Sequence, residues 1–380
     1  MPPIVVFARQ RDYDYQAVKA AVTKALTPLG GMAAFVRPGV KVLLKPNLVL
    51  GYPPERAATT HPAMVRAVAE MALECGGLVA IGDSPGIGSC RAVAEKAGLG
   101  PICAELGIDC VEFTPVEVRD DQRLFRRLTV ARELLAADVV INLPKLKTHC
   151  QMLMTMAVKN LFGAVVGLQK FQWHYRAGSD KALFGHMLYE ICSAIRPKIN
   201  ILDAIISMDG NGPTHGNPNP TGFIAASIDP SALDAAVMRV LGLNPTELYT
   251  LQAAAAAGDT AWQEAKIIGE DPITLRPERW QMPMTRTLAM EGPNVLRHLS
   301  FINRWLRRQV TAIPCPNAQC RRCGMCADVC PAHAIALTPD GIAVDGRACI
   351  RCYCCHELCP SDGITLKIGW LGRILGLGRK

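Results

Sequence analysis

The sequence predicts an α/β fold, a mostly parallel sheet covered by helices, followed by a small cysteine-rich α+β unit. Three observations carry this expectation. Short apolar runs alternate with helical patterns up to about residue 285. Polar residues recur where those runs stop. Ten of the 16 cysteines fall within residues 315–359.

The elements follow in order. "VKVLLKPN" (40–47) is an apolar run ending at Pro46. "HPAMVRAVAEMALECGG" (61–77) reads as a helix with Pro62 in its first turn and a glycine stop. "LVAIGDSPG" (78–86), "ADVVINLPK" (137–145) and "INILDAIISMDG" (199–210) read as further strands. "DPSALDAAVMRVLG" (229–242) is a helix capped by Asp229, with Pro230 at its first position.

In sheets of this kind ligands bind beyond the carboxyl ends of the strands. Those ends carry Lys45 and Asn47, Asp83 and Ser84, Asn142, Lys145, Lys147 and His149, then Asp209 and Asn211. One such pair serves equally well to cap a helix or fix a turn. Four sets together predict a shared cleft. If "PKLKT" is extended, Lys145 and Lys147 point to one side. With Lys45 and Lys159 they predict an anionic small-molecule ligand, a carboxylate or a phosphate. "GDSPGIG" lacks the G-x-G-x-x-G order and there is no G-x-x-x-x-G-K-[ST], so neither NAD nor ATP is expected; a flavin stays open. His149, Lys159 and His174 are the catalytic candidates, two imidazoles for protons and an amine for nucleophilic or tethering work. Met152, Met154 and Met156 between them read as core filling.

Cys320, Cys323, Cys326 and Cys330 form C-x2-C-x2-C-x3-C followed by Pro331. Cys349, Cys352, Cys355 and Cys359 repeat it before Pro360, at a constant offset of 29 (349 − 320, 359 − 330). Zinc sites pair two knuckles across a longer spacer, whereas three cysteines at two-residue gaps wrap three corners of an iron–sulfur cube. The fourth ligand comes from the other repeat. One [4Fe-4S] cluster is therefore expected on Cys320, Cys323, Cys326 and Cys359. The second is expected on Cys349, Cys352, Cys355 and Cys330. "AIALT" and "GIAVD" between the motifs read as a hairpin around Pro339-Asp340-Gly341. About 50 residues here resemble the bacterial two-cluster ferredoxins, which implies one-electron transfer at low potential. Cys315 and Cys354 are left as bystanders. The other six cysteines (Cys75, Cys90, Cys103, Cys110, Cys150, Cys192) are scattered without ligand spacing.

"VLLKPNLV", "IGDSPG", "INLPKLKTH", "VKNLFGAVVG" and "DGNGPTHGNP" together resemble the family known as domain of unknown function 362, over residues 40 to 270. That resemblance implies an iron–sulfur companion module and no settled activity. A narrower likeness is confined to one stretch. The order His149, Lys159, His174 is similar to that in nickel-pincer lactate racemases, which implies a metal cofactor tethered to Lys159.

The expected organisation is an α/β domain (1–285), an amphipathic basic connector (286–314), the two-cluster domain (315–366) and an apolar, basic tail (367–380). The formal charge of +8 is unevenly placed: residues 286 to 308 hold Arg286, Arg297, Arg304, Arg307 and Arg308 against one acid, Glu291, which suits an anionic partner or surface and equally a solvated helix face. No basic–aromatic interleaving or reader motif points to nucleic acid. No run of 18 apolar residues predicts a membrane span, and the tail offers weak surface association. The N-terminus lacks signal-peptide features, so a cytoplasmic location is expected, and with it a free-thiol rather than a disulfide module. The function expected is a reductase of anaerobic metabolism whose two clusters receive electrons from a soluble donor and pass them to the anionic ligand in the α/β cleft, so that a soluble electron donor or acceptor protein is the expected partner. Two other readings remain: an electron-transfer adaptor feeding a partner enzyme, and an isomerase with a Lys-tethered metal cofactor.

Overall fold

The computed structural model describes residues 2–286 except 168, residues 311–369 except 340, and residue 374. The connector helix expected at 294–310 and nearly all of the tail beyond 369 lie outside the described residues.

The main sheet is built on apolar runs that are buried on both faces. In chain order its strands are β1 (Ile4–Arg9), β2 (Lys41–Pro46), β3 (Leu78–Gly82) and β4 (Asp109–Val111). A separate hairpin, β5 (Pro115–Arg119) with β6 (Arg127–Ala131), follows. The sheet resumes with β7 (Val139–Leu143), β8 (Lys145–His149), β9 (Leu153–Thr155), β10 (Ile199–Asp209), β11 (Asn217–Asn219), β12 (Phe223–Ser227) and β13 (Lys266–Gly269). Its order is β13-β1-β12-β10-β7-β2-β3-β4, and β10, β7, β2, β3 and β4 run parallel. β12 is the antiparallel insertion between β10 and β1.

Alternation along the strands sets the two faces. Val42 and Leu44 of β2 join the core under helices Tyr15–Leu26 and Pro62–Glu74, while Leu43 faces the opposite core with Phe184 and Leu188. Continuous apolar runs are what parallel strands covered on both faces require. Asp229 caps helix Pro230–Val240 by accepting from Ala232 N, as its position in the sequence leads one to expect.

Pro144 cannot donate to a ladder. After it the chain leaves β2 and runs as β8, parallel to β10 with a register shift, then folds back as β9. This detour carries Lys145, Lys147 and His149 over the carboxyl ends of the sheet.

The C-terminal unit contains β14 (Ala312–Pro316) paired antiparallel with β17 (Ile364–Ile368). The hairpin expected between the cysteine motifs is β15 (Ile335–Thr338) with β16 (Gly341–Val344). Among the described residues no helix is long and apolar enough to cross a membrane.

Candidate functional site at the junction of the two units

A cavity of about 80 Å³ lies where the carboxyl ends of β2, β3 and β8 meet the short helix Cys354–Glu357. Several waters would fit a space of this size, so it suits a ligand of a few heavy atoms. Of the residues singled out in the sequence, Asn47, Asp83, Ser84, Lys147, Lys159 and His174 line it. Lys170, Thr155, Asn160 and Glu357 join them.

The lysines divide into two kinds. Lys45 is fully buried and its Nζ lies 2.8 Å from Asp83 Oδ1. The same carboxylate accepts from Leu48 N and Ser84 N, so it organises the turn after β3 and has little capacity left for a ligand. A Cβ at Gly163 would overlap both Asp83 Oδ1 and Lys45 Nζ, which explains the glycine there. Lys145 is 1% exposed and paired with the fully buried Asp203 at 2.8 Å. Tyr13 OH bridges the same two groups, and His61 stacks on its ring. Neither Lys45 nor Lys145 lines the cavity, contrary to the ligand-binding role that their position at strand ends suggests. Each already holds a counter-ion.

Lys147, Lys159 and Lys170 line the cavity, and among the described residues no carboxylate lies at salt-bridge distance from them, although Glu357, which also lines it, acts on all three at longer range. Lys147 Nζ donates to Asn47 Oδ1 at 2.9 Å and to Ala58 O at 2.6 Å. Lys170 Nζ donates to Ser84 O and Pro85 O. Among the described residues none hydrogen-bonds Lys159 Nζ, which lies 5.7 Å from the centre of the Phe162 ring. Burial pulls all three amines below the ordinary lysine range, Lys147 and Lys170 to about 7.

Both histidines are neutral. His149 Nδ1 accepts from Gln151 N and Met152 N, so its proton sits on Nε2, 3.6 Å from Glu357 Oε2. Burial holds its imidazole well below the usual range, and the neighbouring Lys159 adds to this. The approach to Glu357 is therefore not an ion pair. His174 stacks on Phe184, has no partner for Nδ1 among the described residues, and is pulled down to about 3 by burial.

The remaining sequence candidates lie apart. Asn142 bridges Asn160, Asn200 and Ala157 O inside the sheet. Asp209 accepts from Asn219 and Gln281 N, and Asn211 from Met284 N, both against segment 281–284. Two lining residues carried no signal of their role. Lys170 lies 23 residues beyond Lys147, past β9, the short helix Ala157–Asn160 and the turn Leu161–Ala164, and Glu357 is one of many acids in the chain.

The C-terminal unit is held over the cavity by specific contacts. Arg56 binds Asp362 through both carboxylate oxygens at 2.7 and 2.9 Å. His215 Nε2 lies 2.8 Å from the same carboxylate. Thr214 OH donates to Glu357 O at 2.7 Å. Leu358 fills the space beside Gly86, where a Cβ would overlap it.

The cysteine repeats fold alike. Positive φ recurs at Arg322 and Arg351, Gly324 and Tyr353, His333 and Asp362, each pair at the offset of the motif. Ala334 N donates to Cys330 Sγ at 3.3 Å and Gly363 N to Cys359 Sγ at 3.1 Å, again in matching positions. Cys326 lies within electrostatic reach of Cys359 and Cys320. Cys349 lies within reach of Cys352 and Cys330, and Cys355 of Cys352, Cys349 and Cys330, with Cys326 of the other group next. Ile335, Ile342 and Ile364 pack around these sulfurs. Cross-repeat grouping, backbone N–H groups aimed at sulfur and an apolar surround are the donor set a pair of cubane clusters needs. Among the described residues no three ligating side chains converge as a single-ion site; cubane ligands sit on separate irons and do not converge on one point. Cys315 stays in the β14 ladder opposite Thr365, and Cys354 is buried with one face on the cavity.

The family model for the domain of unknown function DUF362 matches residues 42–239, which spans every lysine of the cavity. The chain belongs to this family. A relative in Synechocystis, named as a thylakoid-associated protein, is 44% identical over 295 residues, covering 77% of this chain and 92% of its own. Among solved structures, the lactate racemase apoprotein of Thermoanaerobacterium thermosaccharolyticum matches with a TM-score of 0.36 at 10% identity, over 60% of this chain and 54% of its own. A Thermotoga maritima protein matches with a TM-score of 0.33 at 11% identity, over 51% of this chain and 50% of its own. The chain thus spans about half the length of each solved structure.

Proposed function

We propose that this DUF362 protein is an iron–sulfur reductase that delivers electrons to a small anion held in the junction cavity. The observation that carries the reading is that the helix of the second cysteine repeat, Cys354–Glu357, forms one wall of the cavity lined by Lys147, Lys159 and Lys170. When bound, two [4Fe-4S] clusters would supply one-electron reducing equivalents beside that wall.

The chain's own residues do the rest. Lys159, which no described residue hydrogen-bonds and whose charge is offset only at longer range by Glu357, takes the anion's charge. Lys147 and Lys170 gain protons as the anion enters, because its charge reverses the cost of burying theirs. His174 Nδ1, without a partner among the described residues, is the ring nitrogen on the cavity wall that can meet the ligand, while the Nε2–H of His149 lies behind that wall, 3.6 Å from Glu357 Oε2. Gly163 and Leu161–Ala164 close the wall toward β3.

The cytoplasmic location expected from the sequence stands as a proposal beside a relative named for the thylakoid. The apolar, basic tail is the segment that would carry any contact with a surface.

The test uses protein purified without oxygen. After reduction with dithionite and removal of excess reductant, it is mixed in turn with nitrite, sulfite, bicarbonate and pyruvate while cluster absorbance is followed. The proposal expects one class of anion to speed reoxidation at least tenfold, and Lys159→Ala to remove that acceleration. Equal rates for every anion and for both proteins would count against it.

A further inference from the structure

We propose that Cys90 and Cys110 form an oxidisable dithiol that closes to a reversible disulfide and staples the cavity loop to the edge of the sheet. This site is independent of the reductase reading. The two cysteines are far apart in sequence pattern and carry no ligand spacing, yet their Sγ atoms lie 3.0 Å apart. A disulfide needs about 2.05 Å, so the sulfurs must close by about 1 Å.

The backbones that carry them are already fixed against each other. Cys90 is the first residue of helix Cys90–Lys96, and Ser89 caps that helix. Cys110 is the middle residue of β4, the edge strand paired with β3. Two residues beyond Cys110, Glu112 accepts from both Cys90 N and Arg91 N, at 3.0 and 3.1 Å. This bidentate contact holds the helix start on the strand whatever the state of the sulfurs. Cys90 is fully buried and Cys110 is partly exposed. Cys110 is therefore the sulfur that meets an oxidant, and Cys90 is the sulfur behind it.

The reaction with a low-molecular-weight disulfide balances in two exchanges. The Cys110 thiolate attacks the disulfide, forms a mixed disulfide and releases one thiolate. Cys90 then loses its proton to solvent and attacks the Cys110 sulfur, which releases the second thiolate. Two protein thiols are oxidised by two electrons, and one external disulfide is reduced to two thiols.

The staple has a target. The loop between β3 and this helix supplies Asp83, Ser84 and Gly86 to the junction cavity. It also lines an adjoining opening of about 370 Å³ with Glu112, Phe113 and Asp328. A bond from Cys90 to β4 anchors the far end of that loop. Cys103, on helix Gly100–Leu106, is the third thiol of this corner and an electrostatic neighbour of Cys90.

The experiment takes the full chain, equilibrates it with oxidised glutathione, blocks free thiols by alkylation and maps peptides by mass. The expected product joins the Cys90 and Cys110 peptides, is two hydrogens lighter than the two free, and disappears on reduction with dithiothreitol. Cys110→Ser removes it, whereas Cys103→Ser retains it. The oxidised chain melts a few degrees above the reduced one, and Cys110→Ser shows no such rise. Recovery of Cys90 and Cys110 each singly alkylated under conditions that oxidise other thiols would overturn the proposal. So would a link to Cys103 in place of either, or loss of the linked peptide in Cys103→Ser.

Discussion

Lys145 and Lys159 sit 14 residues apart in one stretch of the chain, and the fold gives them opposite fates. Lys145 is locked to Asp203 and Tyr13 behind the sheet's carboxyl end. Lys159 faces the cavity with no hydrogen-bond partner among the described residues. The same contrast separates Lys45, held by Asp83, from Lys147 and Lys170. A buried cation with its own carboxylate is part of the scaffold. A buried amine without one at salt-bridge distance has a lowered affinity for the proton, which an anion at the proposed site would restore.

Substitutions can break this comparison at either end. Lys145→Ala leaves Asp203 buried and unpaired, which is expected to cost about 3–5 kcal/mol in a urea unfolding curve. Gly163→Ala forces a methyl into the Lys45–Asp83 pair, and a loss of about 1–3 kcal/mol is expected in the same assay. Lys159→Ala is expected to weaken anion binding by about tenfold or more, close to 1.4 kcal/mol, measured by calorimetry. Its unfolding free energy should not fall more than about 0.5 kcal/mol below the parent, because the amine removed is one whose burial is costly. If Lys159→Ala unfolds the chain and Lys145→Ala does not, the division of the lysines is inverted.

The smallest effect is in pH. Lys147 and Lys170 have folded values of about 7 against an ordinary lysine value of 10.5. Their charged forms dominate below 7, so anion affinity should be highest there and fall as pH rises above 7. Stability of the ligand-free chain should move the other way. Between about 7 and 10.5 the unfolded state binds more protons, so these two lysines make the folded state more stable as pH rises through that window. An anion affinity that stays flat from pH 6 to 9 would remove Lys147 and Lys170 from the site.

Much of the scaffold was legible because its causes are local. The run 40–47, the helix after His61 and the Asp229 cap each depend on neighbours within a few residues, and each stands where the sequence places it. The cysteine repeat was legible for the same reason. The cavity was legible as a set of strand ends, and six of the expected residues line it. The pairing of the lysines was not legible, because Asp203 lies 58 residues from Lys145 and Asp83 38 from Lys45. Asn142, Asp209 and Asn211 are polar residues at strand ends that serve internal hydrogen bonds. Glu357 was invisible because its place depends on how the C-terminal unit docks, through Arg56, Thr214 and His215.

The most direct test of a cluster-bearing unit facing an anion cavity is one measurement on protein purified without oxygen. It is the electron paramagnetic resonance spectrum of the reduced, iron-quantified chain, taken with and without saturating sulfate. About eight irons per chain are expected. The spectrum should shift with sulfate in the parent and stay unchanged in Lys159→Ala. A chain without iron, or a full complement of iron whose spectrum ignores the anion in both proteins, would contradict the account.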